Sequence, residues 1–270
     1  MTFMKVRGAT LRHDDSGPSG GIPVLLIHGH PFDRTLWAPQ VRALTAAGYR
    51  VITPDLRGYG ASEVTEGTVR LGDFADDLAA LLDHLGLADA VAGGVSMGGQ
   101  IALELRRLHP ERVRALVLSD TSAPPETEEG KAYRNALADR LLAEGMAGYA
   151  AEVIDKMLAD YNVTAQPEVA RKVLAMMGST DPRGAAAALR GRAERADLRP
   201  VLAAADIPVL IVVGADDVYT PLSDAQELHR HAPHARLDVI EGAGHLPGAE
   251  QPERFNAVLL DFLATRVKGA

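Results

Sequence analysis

Cysteine is absent from the 270-residue chain, which removes disulfide bridges, thiolate metal sites and cysteine nucleophiles together. No stretch approaches the roughly 18 apolar residues of a membrane-spanning helix, and the segment Met1 to Arg7 has no apolar run followed by a small-residue cleavage site. These absences predict a soluble, cytoplasmic protein without a membrane partner. Basic charge is not in excess either: 28 Lys and Arg against 36 Asp and Glu give a formal charge of −8. The arginines are interspersed, so no nucleic-acid partner is expected. A G-x-x-x-x-G-K-[ST] phosphate loop is missing, and Gly242 to Gly244 lacks the helix-opening glycine pattern of a dinucleotide fold. No cofactor is therefore expected. His28 and His30 have no third ligand pattern such as H-E-x-x-H beside them, so no metal is expected. His84, His109, His229, His231 and His234 fall on predicted helices or loops and are expected at the surface.

What is present begins with Gly94-Val95-Ser96-Met97-Gly98, which follows the apolar run Ala90 to Ala92 and opens a helical stretch from Gln100 to Leu108. Strand, sharp turn and helix in that order form a nucleophile elbow. The turn forces the serine into a strained backbone conformation. The departing helix then crosses close to the arriving strand, where a Cβ at Gly94 or Gly98 would clash. Downstream, Val209 to Val213 reads as a buried strand ending in Gly214-Ala215-Asp216-Asp217, with Pro221 after it. Leu237 to Ile240 is a further strand, and it runs into the loop Glu241-Gly242-Ala243-Gly244-His245. The order is Ser, Asp, His, each just past a strand.

That order is the one used by α/β-hydrolases, and the chain resembles that superfamily over nearly its whole length. Leu25-Leu26-Ile27-His28-Gly29-His30-Pro31 and Pro54-Asp55-Leu56-Arg57-Gly58-Tyr59-Gly60-Ala61-Ser62 resemble two more of its hallmark segments. The segment from His28 to Phe32, with Gly94 to Gly98, is similar to the branch of esterases, enol-lactonases and cofactor-free haloperoxidases (perhydrolases). The resemblance implies an α/β fold with a mostly parallel central sheet flanked by helices and a helical cap inserted after the sixth strand. Residues 1–120 and 206–270 are expected to form the core and 121–205 the cap.

Elsewhere the pattern predicts an edge hairpin around residues 3 to 14 and strands at Pro23 to Ile27, Tyr49 to Thr53 and Val113 to Ser119. Helices are predicted over Arg34 to Ala47, with Asp33 and Gly48 as caps, over Leu71 to Leu85, and over Pro252 to Val267.

A serine hydroxyl needs a base to accept its proton during attack. His245 suits that task, and Asp217 would orient its ring. Asp216 competes for the acid role, and Asp120, at an earlier strand end, is a lesser candidate. The family pattern carries the oxyanion-hole amides to Met97 and His30. Phe32, Trp37, Met146 and Met157 are the expected substrate-binding residues, since the cap segment supplies enough apolar surface to line a pocket. The implied activity is that of a serine hydrolase cleaving a small, largely apolar carboxylic ester or lactone through an acyl-enzyme. Serine at the elbow, where aspartate would indicate epoxide or haloalkane chemistry, points to acyl transfer. Perhydrolysis and carbon–carbon bond hydrolysis use the same three residues, and a non-catalytic small-ligand receptor is the alternative of another class.

Overall fold

In the computed structural model, which describes residues 2–268, the short apolar runs become eight strands. They are β1 (Thr2–Val6), β2 (Ala9–Ser16), β3 (Pro23–Ile27), β4 (Arg50–Pro54), β5 (Ala90–Val95), β6 (Val113–Ser119), β7 (Val209–Gly214) and β8 (Arg236–Ile240). They pair into one sheet in the order β1-β2-β4-β3-β5-β6-β7-β8. β1 and β2 form an antiparallel hairpin and β2 joins β4 antiparallel; every other pairing is parallel. The family fold expected from the motifs is therefore present.

Successive side chains of a strand point to opposite faces, and the buried parallel strands divide their residues accordingly. Leu25, Ile27, Ile52, Ala92, Leu116, Leu118, Ile211 and Val213 enter one core layer. Val24, Leu26, Val51, Val91, Ala115, Val117, Leu210 and Val212 enter the other. The first layer is covered by α2 (Leu71–His84) and α3 (Met97–Leu108), through residues such as Phe74 and Ile101. The second is covered by α1 (Ala38–Ala46) and by the carboxyl-terminal helix Pro252–Phe262, through Leu44, Phe255 and Phe262. Strand order reverses direction between β3 and β5, and the carboxyl ends of strands flanking such a switch point border a crevice.

Six helices lie between β6 and β7: α4 (Glu128–Glu144), α5 (Ala147–Met157), α6 (Asp160–Ala165), α7 (Pro167–Ser179), α8 (Pro182–Ala193) and α9 (Arg199–Ala203). α10 (Leu222–His231) and α11 (Pro247–Glu250) precede the last helix, numbered α12. No helix among the described residues is long and apolar enough to cross a membrane.

Three boundaries differ from expectation. The Arg34 to Ala47 helix splits into a 3-10 turn over Arg34–Trp37, capped by the Asp33 side chain on the Thr35 amide, and then α1. Pro39 lacks an N–H and so sits in the first turn of the new helix. The elbow helix starts at Met97, directly after the serine. The last helix ends at Phe262 and continues as a wider π turn over Leu263–Val267.

Candidate active site

Ser96 joins β5 to α3 with φ 56 and ψ −119, one of three non-glycine residues with positive φ among those described. Such a conformation costs roughly 1–3 kcal/mol and persists only where its surroundings enforce it. Here they do. The Ser96 N–H donates to the Ser119 carbonyl at 3.0 Å, and the Ser96 carbonyl accepts from Gly99 N and from Thr121 Oγ1. A Cβ on Gly94 would lie 2.2 Å from the Gly98 carbonyl carbon, and one on Gly98 would lie 2.2 Å from the Ile27 oxygen. Only glycine lets the helix pass this close to the strands. Ser96 is 8% exposed, and that exposure opens onto a cavity of 210 Å³.

His245, in the loop after β8, lines the same cavity. Its Nδ1–H donates to Asp217 Oδ2 at 2.8 Å. The carboxylate also accepts from the Thr220 hydroxyl at 2.7 Å and from the Tyr219 amide at 2.7 Å. Burial opposes the charge of Asp217, but the imidazole and these donors outweigh it and hold the group at about 2. Asp216 is exposed and accepts instead from the Tyr161 hydroxyl at 2.6 Å. The geometry thus brings together Ser96, Asp217 and His245 and leaves Asp216 outside. The histidine loop is held from behind by buried Glu250, which accepts from Gly244 N, Ala159 N and Asn162 Nδ2.

Asp120, past β6, lies beside this pair: one ligand atom each from Asp120, Asp217 and His245 falls within 4.8 Å of the others. The carboxylate oxygens are occupied, however. Gly214 N and Ser119 Oγ donate to Asp120, while Asp217 serves the histidine and the Thr220 turn. Burial, reinforced by the Asp217 charge, pushes the Asp120 carboxyl well above the usual carboxylate range. A raised value favours the neutral acid in the fold, so the associated stability is complete below the unfolded value of about 3.9 and is lost as pH rises through the folded value. Asp120→Asn stays neutral throughout. It should melt about 2–5 °C above the parent at pH 8, the gain vanishing near pH 4; equal melting temperatures at pH 8 would contradict this account.

His30 follows β3 and Met97 follows β5, the two strands that flank the switch point. Neither backbone N–H donates to a loop, turn or cap acceptor among the described residues. The His30 ring meets the Tyr59 hydroxyl through Nδ1 at 2.8 Å. Burial, and after it the Arg192 charge, drives its pKa well below the ordinary imidazole value. His28 is a fastener: its Nε2 accepts from Leu56 N at 3.0 Å and its Nδ1 donates to the Gly29 carbonyl at 2.8 Å, leaving no lone pair for a metal. Tyr59, which orients His30, carries no separate signal in the sequence beyond its place in the Pro54 to Ser62 segment.

Residues 22–252 match the family model described as the alpha/beta hydrolase fold. The chain belongs to the α/β-hydrolase family. It is 33% identical over 257 residues to 3-oxoadipate enol-lactonase 1 of Acinetobacter baylyi, covering 95% of this chain and 94% of that protein. Among solved structures, a thermophilic esterase from Thermogutta terrifontis with malate bound is 40% identical with a TM-score of 0.92, over 97% of this chain and 96% of that one. A bromoperoxidase from Bacillus anthracis is 25% identical with a TM-score of 0.84, over 95% and 96%.

In this α/β-hydrolase the inserted helices bring both apolar and polar side chains to the cavity. Met157 lines it, but Phe32, Trp37 and Met146 do not. Phe32 and Met146 are buried in the core layer that α1 and α12 cover, and the Trp37 ring packs against Phe255, centroids 6.2 Å apart. Leu137 and Leu189 join Met157 on the apolar part of the wall, and Gln100, Tyr149, Arg134, Arg192, Tyr219 and Asp224 bring polar groups beside them. Gln100 could have been found, because it lies one turn beyond Ser96 on the elbow helix and shares its face.

Proposed function

We propose that this hydrolase cleaves carboxylic esters and lactones through an acyl-enzyme formed on Ser96. The carrying observation is that Ser96, strained at an elbow, opens onto the same cavity as His245, whose far nitrogen is tied to buried Asp217. In this reading Ser96 Oγ attacks the carbonyl carbon while His245 Nε2 takes its proton. Asp217 keeps the other nitrogen protonated and stabilises the imidazolium. The oxyanion is met by the Met97 and His30 N–H groups, the first at the positive end of α3. Such donors each contribute on the order of 10²–10³ in rate. His245 returns the proton to the leaving alkoxide and then activates water, which releases the acid.

Residues 121–205 act in this reading as a lid that shapes the pocket over the strand ends. No cofactor or metal takes part. Discharge of the same acyl-enzyme to hydrogen peroxide would yield a peracid, a second reading favoured by the likeness to the bromoperoxidase. A panel of short-chain p-nitrophenyl esters and γ-lactones, run with and without peroxide, tests the proposal. Saturable turnover of esters or lactones supports it, and peracid formed in preference to acid would select the second reading. Rates at the buffer background across the panel would contradict both.

A further inference from the structure

Arg192 stands out among the cavity residues. It lies in the last turn of α8, is 9% exposed and lines the cavity with Ser96 and His245. Its Nε donates to Gln100 Oε1 at 3.3 Å, and its two terminal nitrogens donate to no described residue. The Glu126 carboxylate favours its charge but is already engaged by two other guanidiniums. Arg134 pairs with Glu126, and Arg195 approaches the same carboxylate at 3.6 Å. Asp224, half-buried on the lining from α10, has Arg195 as its cationic neighbour. Three guanidiniums thus share two carboxylates. Arg190, from the same turn, pairs instead with Asp139 at the surface. The nearby imidazole of His30 is kept neutral and adds no charge.

A guanidinium does not lose its proton in a protein, so its burial must be offset by an anion or by polar partners. Burial, and after it repulsion from Arg134 and Arg195, acts against this one. Its planar fork matches a carboxylate through two parallel N–H donors.

We propose that Arg192, steadied by Gln100, is a carboxylate-binding subsite, so that the preferred substrates carry a carboxylate in addition to the ester or lactone carbonyl. This rests on the acyl-transfer reading above, deepens it, and replaces the largely apolar substrate expected from sequence. Arg192 is a specificity determinant and does not touch the reacting bond.

The test compares two substrate pairs. Mono-p-nitrophenyl glutarate against p-nitrophenyl butyrate places the charge on the acyl side; 3-acetoxypropionate against propyl acetate places it on the alcohol side. The parent enzyme should prefer the anionic member of one pair by about 10- to 100-fold in kcat/KM, and the pair concerned identifies the side that carries the carboxylate. In Arg192→Met that preference should fall to about one, and Arg192→Lys should restore part of it. No anionic preference in either pair, or a preference that Arg192→Met leaves intact, overturns the subsite.

Fluorophosphonate labelling of Ser96 separates the two claims. A parent enzyme that is not labelled loses the acyl-transfer reading and the subsite with it, whereas a labelled parent without charge preference loses the subsite alone. If Arg192→Met fails to label, the parent decides: glutarate should slow labelling at a concentration at least tenfold below glutaramide, and equal protection overturns the proposal.

Discussion

Replacing Ser96 by alanine should lower kcat on p-nitrophenyl acetate by about four orders of magnitude or more. The expectation follows from the proposed reaction, in which the three side chains act as a unit. In that reaction, without the hydroxyl there is no atom to acylate, and the remaining groups, His245 held by Asp217 and the proposed oxyanion donors at Met97 and His30, would only polarise the carbonyl and position water. The substitution removes one oxygen from a side chain that makes no hydrogen bond through it among the described residues, since the contacts that hold the elbow run through the Ser96 backbone. Ser96→Ala should therefore melt with the parent protein. A variant that is folded and keeps activity within about tenfold would show that the chemistry takes place elsewhere.

Asp217→Asn should be nearly as damaging, with a loss in kcat of about 10⁴. The reason is the tautomer of His245. Asp217 Oδ2 accepts from Nδ1–H, which leaves Nε2 without a proton and, in the proposed reaction, free to take that of the serine. An asparagine amide turned toward the ring would donate to Nδ1, shifting the proton to Nε2 and removing the base. The opposite amide orientation would set an NH₂ group against the donors at Tyr219 and Thr220. The substitution also has a pH signature in stability. Asp217 is held at about 2 in the fold, below its unfolded value, so its contribution is present above about pH 4 and disappears as pH falls toward 2. The parent should accordingly lose more stability than Asp217→Asn over that interval, as thermal melts across it would record. A folded Asp217→Asn with activity within tenfold of the parent would assign the acid role to another group, with Asp120 the neighbour in position to take it.

The strand-end placement of these residues was legible because it depends on local signals. An apolar run gives a strand buried on both faces, and the glycines at 94 and 98 mark where backbones must approach within contact. Asp217 could be preferred to Asp216 by spacing, and the structure separates them by burial: one faces the histidine, the other solvent. The pocket wall was not legible, for a different physical reason. Whether Met146 or Met157 reaches the cavity depends on how α5 packs over the core, a long-range outcome that an apolar side chain of similar shape does not encode. In the same way Arg190, Arg192 and Arg195 read alike along the chain. Helix α8 turns the first to the surface, where Asp139 meets it, and the second inward to Gln100. Tyr59 is set against His30 by the crossing of two loops 29 residues apart in sequence.

The account rests on an activated Ser96, and mass-spectrometric mapping of the peptide modified by a fluorophosphonate measures that most directly. The expected result is one stoichiometric adduct on Ser96 that is absent from Ser96→Ala and forms far more slowly in His245→Ala. An adduct on another residue, or labelling of Ser96 at the same rate without the imidazole, would contradict it.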